Sequence, residues 1–179
     1  MKLSSRTLTW LTLTAVFLVA AAQAQEMKPS PVGKGTASVL APLKKLEGEW
    51  VGKAGPAGQQ VDVTVTYHVT ANGSAVMETL FPGTPHEMIT MYVADGNRIA
   101  LTHYCAMGNQ PHMIARPGTA ANQFVFDYVT SPGIDARKDA HMHGAKIQIV
   151  DDDHLRSEWT SFDNGKSAEV TSFELARKK

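Results

Sequence analysis

The sequence predicts an all-β fold, a roughly ten-stranded antiparallel up-and-down barrel with a short N-terminal helical turn. Three observations point there. Apolar and polar residues alternate with period two through most of the chain after Gly48. Asn-Gly and Asp-Gly pairs separate several of the alternating runs, which is the chemistry of tight hairpins. No stretch of the mature chain sustains helical periodicity for more than about two turns. A meander of this size leaves unpaired edges unless it closes, and closure into a barrel removes them. Crossing connections are scarce, which favours up-and-down closure over a two-sheet sandwich.

The first segment stands apart from that fold. MKLSSRTLTWLTLTAVFLVAAAQAQ carries Lys2 and Arg6, then an apolar run from Leu8 to Ala22, then Ala22-Gln23-Ala24. This pattern predicts a secretory signal peptide over 1–24, cleaved after Ala24, rather than a membrane span. No cysteine lies near that point, so no lipid anchor is expected. Residues 25–37 are polar and rich in Pro and Gly, which predicts a flexible leader. Residues 38–179 then form one domain.

The barrel elements follow in order. In TASVLAPLKKL, Val39, Leu43 and Leu46 recur at helical spacing, and Pro42 is tolerated in a first turn. VDVTVTYHVT sets Val61, Val63, Val65, Tyr67 and Val69 against Asp62, Thr64, Thr66, His68 and Thr70, the clearest half-buried strand. Asn72-Gly73 supplies a type I′ turn into SAVMETLF, pairing Tyr67 with Glu78 and Val65 with Leu80. Asp95-Gly96 joins EMITMYV to RIALTHYC, and Asn164-Gly165 joins HLRSEWTSF to KSAEVTSFEL. QPHMIAR, QFVFDYV and HMHGAKIQIV supply the remaining strands.

Charge and cysteine content narrow the function classes. Without Lys2 and Arg6, 15 basic residues face 17 acidic ones. This balance leaves no electrostatic footprint for nucleic acid and no basic patch for anionic lipid. Cys105 is the single cysteine, so no intrachain disulfide forms even in the oxidising periplasm or medium where the mature protein is expected.

Gly48-Glu49-Trp50, following a helical turn and opening the first strand, resembles the calycin barrels: lipocalins, fatty-acid-binding proteins and nitrobindin-like haem barrels. The longer Gly48-x-Trp50-x-Gly52 is most similar to the nitrobindin branch. The resemblance implies that Trp50 closes the barrel floor beneath a basic side chain of the last strand, here Arg177. It also implies a haem ligated by a histidine on the closing strand. EVTSFELARKK has none, and His154 begins the preceding strand at a turn, so a haem role would require a different histidine. GSAVMETLFPGTPHEM followed by LTHYCAMGNQPHM resembles a family of exported bacterial proteins of uncharacterised function.

Several residue groups could carry chemistry. Glu78 shares a face with Val76 and Leu80, so it is either a carboxylate inside the barrel, needing donors, or a solvated one on its outside. Met88, Thr90 and Tyr92 align with Ile99, Leu101, His103 and Cys105. Ile89, Met91 and Val93 align with Ala100, Thr102 and Tyr104, and both faces are apolar enough to be inside. His103 and Cys105 share a face, but strand geometry separates their backbones by about 6–7 Å, too far for a nucleophile–base pair. His141-x-His143 has a spacing that suits a divalent metal, with His103 or His112 completing the site. The loops after the third and fifth strands reach the same barrel end. They bring His86, Glu87, Asn109, Gln110 and His112 to one rim.

The expectation is an exported, lipocalin-like barrel that binds a small apolar or amphipathic molecule. Glu78, Tyr92, His103, Cys105, Asn109, Gln110 and His112 form the ligand-binding set, and no catalytic residue is assigned. A metal-dependent or general acid–base enzyme using Glu78 and the histidines is the alternative reading. A haem-binding barrel and a filled structural barrel are the others.

Overall fold

The computed structural model describes residues 39–118 and 120–179. The signal peptide and leader expected over residues 1–37 lie outside the described residues. One short helix, α1 (Ala41–Lys44), precedes ten strands: β1 (Gly48–Gly55), β2 (Val61–Thr70), β3 (Ala75–Leu80), β4 (Met88–Asp95) and β5 (Arg98–Tyr104), then β6 (His112–Ala115), β7 (Gln123–Thr130), β8 (His141–Ile149), β9 (His154–Asp163) and β10 (Lys166–Arg177). Every strand pairs antiparallel with its neighbours in sequence, and β1 pairs with β10 to close the ring. The fold is therefore the all-β, ten-stranded up-and-down barrel that the alternation predicts.

Turn chemistry sets the registers. Asn72 (φ 53°, ψ 38°) and Gly73 (φ 79°) occupy the centre of the first hairpin, and Ser74 N–H donates to Ala71 O at 3.1 Å. Tyr67 duly faces Glu78, and Val65 faces Leu80. In the β4–β5 hairpin Asp95 pairs with Arg98, so Gly96-Asn97, not Asp95-Gly96, form the loop. This moves the register by two residues, and side chains keep their faces because the strand period is two.

The helical turn packs differently from its expected face. Leu40, Leu43 and Leu46 are the buried residues, while Val39 is half-buried. Leu46 N–H donates to Leu43 O at 3.0 Å, an i→i+3 bond, and such tightening brings residues three apart onto one face. These leucines plug one end of the barrel beneath Trp50, whose Nε1–H donates to Leu46 O at 2.7 Å. The Arg177 guanidinium lies 4.4 Å over the Trp50 ring. It also donates to Glu47 O and Lys45 O at 2.8 Å and to Asp152 O at 3.0 Å. One side chain thus satisfies carbonyls that the short helix leaves unpaired and stacks on the floor indole. Above this floor Val65, Val76, Leu101, Met113, Phe126, Ile147 and Leu175 fill the lower barrel.

Gly52 makes the closing seam possible. A Cβ built there would lie 1.9 Å from Glu174 O and 3.0 Å from Leu175 Cα. The obstacle is backbone of the paired strand, which cannot rotate away. Gly52→Ala is therefore expected to cost about 3 kcal/mol or more by overpacking. For a domain of this size that lowers Tm by about 10 °C. Thermal unfolding followed by circular dichroism measures it, and an unchanged Tm would count against this account of the seam.

Candidate functional site

At the end opposite α1 the interior opens into a cavity of about 370 Å³. Its wall is apolar: Leu80, Phe81, Met88, Met142, Trp159 and Phe173, with His86 and Ala106 contributed by the rim loops. Phe81 holds an unusual backbone conformation, φ 53°, just beyond β3. For a bulky non-glycine residue this is a strained state. Local bonds maintain it: Phe81 N–H donates to Thr64 O at 3.2 Å, and Thr84 Oγ1–H donates to Phe81 O at 2.8 Å. The result turns the Phe81 ring against Phe173, centroids 6.1 Å apart, over the cavity.

Beneath the cavity a row of polar residues crosses four strands. Tyr67 pairs with Glu78, Glu78 with Thr90, and Thr90 with His103. All four are buried and point inward, so Glu78 is a carboxylate inside the barrel. Tyr67 Oη–H donates to Glu78 Oε1 at 2.5 Å, and Tyr92 Oη–H donates to Oε2 at 2.8 Å. Burial raises the Glu78 pKa, and the hydroxyls of Tyr67, Tyr92 and Thr90 act against that rise. The tyrosines are held well above their ordinary pKa by burial and by the charge of Glu78, so they remain donors. Thr90 Oγ1 lies 2.9 Å from His103 Nδ1.

His103 links this row to the cavity. Its ring lies 4.6 Å from Trp159, centroid to centroid, and its Nε2 is buried with no hydrogen-bond partner in the protein. Burial pushes its pKa down to about 4, so the imidazole is neutral near pH 7. Trp159 Nε1 and Ser157 Oγ are also buried without partners. His103 and Trp159 both line the chamber, but these polar atoms are themselves shielded from its space. An unpaired buried polar group costs about 1–3 kcal/mol.

The other residues singled out in the sequence are dispersed. Glu78 and Tyr92 lie below the cavity, and Tyr92 packs on Phe126 at 5.9 Å. Cys105 is buried with Sγ 4.0 Å from Met88 Sδ, and burial raises its thiol pKa, the opposite of an activated nucleophile. Asn109 Nδ2–H donates to Ala140 O at 2.8 Å, tying the β5–β6 loop to the β7–β8 segment. Gln110 Nε2–H donates within its own loop, to Gly108 O at 3.2 Å. His112 pairs with Thr102 on the wall opposite to the His103 face, with Nδ1 3.2 Å from Thr102 Oγ1.

His141 and His143 form a separate cluster, where a bulge makes His143 the extra residue of β8. His141 Nδ1 lies 2.8 Å from Asp139 O and must donate to it, which leaves Nε2 to accept from His143 Nδ1–H at 2.9 Å. The His143 ring is stacked between Phe162 (3.7 Å) and Tyr128 (5.1 Å). Neither His103 nor His112 joins His141 and His143 in a group that could hold a metal. Among the described residues no group of three or more His, Cys, Asp or Glu side chains is arranged to hold a metal ion.

The haem implied by the nitrobindin-like resemblance does not fit these residues either. No histidine occupies β10, and no lysine or arginine lines the cavity to meet propionates. Trp159 and Thr90 carry no sequence motif, yet both belong to the site. The signal for Trp159 is the alternation of Leu155, Ser157 and Trp159 against Arg156 and Glu158. Thr90 becomes visible only once its register with His103 is known.

The fold is shared with solved structures. The chain is similar to the crystal structure of Rv2717c from M. tuberculosis, with a TM-score of 0.55 and 12% identity over 79% of this chain and 98% of that one. It is also similar to a protein of unknown function from the DUF3598 family of Nostoc punctiforme, with a TM-score of 0.52 and 13% identity over 76% of this chain. There it spans about half of the longer protein, 48%. These likenesses and the closed ring fit a calycin-like barrel. No protein-family model matches the chain, and no curated protein does.

The depressed His103 pKa has a consequence for stability. Unfolded His103 takes up its proton near pH 6.5, whereas folded His103 does so only near pH 4. Between those values the unfolded state binds more protons, so stability falls as the pH falls. The loss from this residue is about 3 kcal/mol between pH 7 and pH 4. Urea titrations across that range should show the wild type losing about that much more than His103→Gln, and parallel pH profiles would refute the assignment.

Proposed function

We propose that this chain is an exported calycin-like barrel that binds one small apolar or amphipathic molecule in the chamber at its open end. The observation that carries the reading is the chamber itself. About 370 Å³ of space is lined by Leu80, Phe81, Met88, Met142, Trp159 and Phe173, with His103 also in the wall. Small-molecule sites combine such a wall with a few placed polar groups, and their volumes run from about 300 to 1,000 Å³. The leader pattern of residues 1–24 supports export to the periplasm or the medium. The near-neutral charge of the chain favours a neutral ligand over nucleic acid or an anionic membrane surface.

The strained Phe81 supports the same reading. A filled structural barrel has no use for a backbone state that costs about 1 kcal/mol or more and sets an aromatic ring across an open chamber.

A neutral, environment-sensitive probe, N-phenyl-1-naphthylamine, should bind saturably at one site per chain with enhanced emission. Ala106 is exposed at the rim and lines the chamber, so Ala106→Trp should obstruct access without disturbing the core. The expected outcome is an affinity weaker by about tenfold or more, the equivalent of 1.4 kcal/mol. Equal binding by wild type and variant would place the probe elsewhere and remove the support for this chamber as the site.

A further inference from the structure

The chamber wall is distinctive in which apolar groups it presents. Four aromatic rings line it as two pairs, and each pair joins strands that are not neighbours in the closed sheet. Phe81, just past β3, meets Phe173 of β10 with centroids 6.1 Å apart and planes tilted by 57°. His103 of β5 meets Trp159 of β9 at 4.6 Å and 38°. Two thioethers complete the set. Met88 stands on β4, between the strands that carry Phe81 and His103, and Met142 on β8, the neighbour of the strand that carries Trp159.

Such a wall attracts an aromatic ring more strongly than a saturated one. The ring quadrupole favours offset and edge-to-face contacts, worth about two- to tenfold in affinity per pair beyond the area buried. A sulfur at the edge of a ring adds up to about tenfold. A saturated ring of the same outline gains neither. The wall is also closed to polar substituents. No Lys, Arg, Asp or Glu lines the chamber. His103 Nδ1 is engaged with Thr90, and His103 Nε2 and Trp159 Nε1 are shielded, so both rings present carbon to the space. The Thr171 hydroxyl already donates to Glu169 Oε1 at 3.2 Å. A polar group carried inward would therefore lose its water without gaining a partner. At the rim, beside exposed His86, it would keep its water.

We propose that the chamber selects neutral molecules whose inward end is an unsubstituted aromatic ring system, gripped by the rings of Phe81, Phe173 and Trp159 and the thioethers of Met88 and Met142, with any polar group left at the rim. The inference rests on the ligand-binding reading and assigns its chemical class. These side chains are binding residues, and none has a chemical step.

Three probes that share one handle test this by calorimetry: 4-(1-naphthyl)butan-1-ol, its fully hydrogenated decalin counterpart, and the analogue with a second hydroxyl on the outer ring. The decalin compound is the more hydrophobic, so a wall that acts through buried area alone ranks it first. The naphthyl probe should instead bind about tenfold or more tighter than either of the others. Replacing both sulfurs, Met88→Leu with Met142→Leu, conserves volume and apolarity. It should weaken the naphthyl probe about threefold or more and leave the decalin probe near its wild-type affinity. In wild-type protein with labelled methionine methyls, ring current from the naphthyl probe should shift the Met88 and Met142 signals, while those of Met77 and Met91 on the outer face stay in place. Those shifts with equal affinities, or with the decalin tighter, would overturn the aromatic selection while leaving the chamber a ligand site. Equal binding of the hydroxylated analogue would overturn the exclusion of inward polar groups. Binding without the shifts, or no binding by any probe, would remove both the inference and the chamber as the site. The wild-type series and the methyl shifts decide the matter even if the double variant does not fold.

Discussion

A carboxylate with no solvent contact must be met by donors, and this requirement organises the barrel around Glu78. The donors come from both sides: Tyr67 on β2, and Tyr92 with Thr90 on β4. Tyr67, Glu78, Thr90 and His103 are direct cross-strand partners, so one polar row ties β2 through β5. A slip of one residue in any of these pairings would send a member of the row to the outer surface. Apolar packing tolerates small errors of register better than an anion that needs several hydrogens. The network therefore specifies which pairing the strands adopt as well as contributing stability.

The same row divides the interior into two regions with different properties. Toward α1 the space is filled, and Trp50 meets the edge of Tyr67 at 6.5 Å while Arg177 covers the indole from the other side. Toward the loops the packing stops short and leaves the chamber. His103 belongs to both regions, joined to Thr90 through Nδ1 and forming part of the chamber wall.

The barrel was legible in the sequence because its signals are local. Period-two alternation identifies strands, and Asn72-Gly73 fixes a register that the structure reproduces at Tyr67–Glu78 and Val65–Leu80. Which face of β4 and β5 points inward was not legible. Ile89, Met91 and Val93 are more apolar than Met88, Thr90 and Tyr92, yet Thr90 and Tyr92 are the buried ones, a choice made by the whole ring. The placement of the histidines was hidden for a related reason. His112 follows a seven-residue loop and sits at a bulge with β7, so nothing in the local pattern tells which wall it joins. His143 is likewise the extra residue of a bulge, so the His-x-His spacing does not report ordinary strand geometry there. The helical turn shows the same limit on a smaller scale. A switch to i→i+3 bonding buries Leu40 in place of Val39, and only packing against Trp50 selects it.

The pairing of β1 with β10 also orders events in time. Glu49 O accepts a bond from Lys178 N–H at 2.9 Å, so the second residue of the first strand is finished by the residue that follows the tenth. Hairpins along the meander can form locally as the chain emerges, but the ring has two raw edges until the final strand is present. Contacts of such sequence separation are the slowest to form. Gly52 makes the wait sharper, because its seat against Glu174 and Leu175 does not exist before β10 arrives. The nascent protein must therefore remain an open, adhesive sheet until β10 has been made. The arrival of β10 decides whether it becomes a barrel or a template for aggregation.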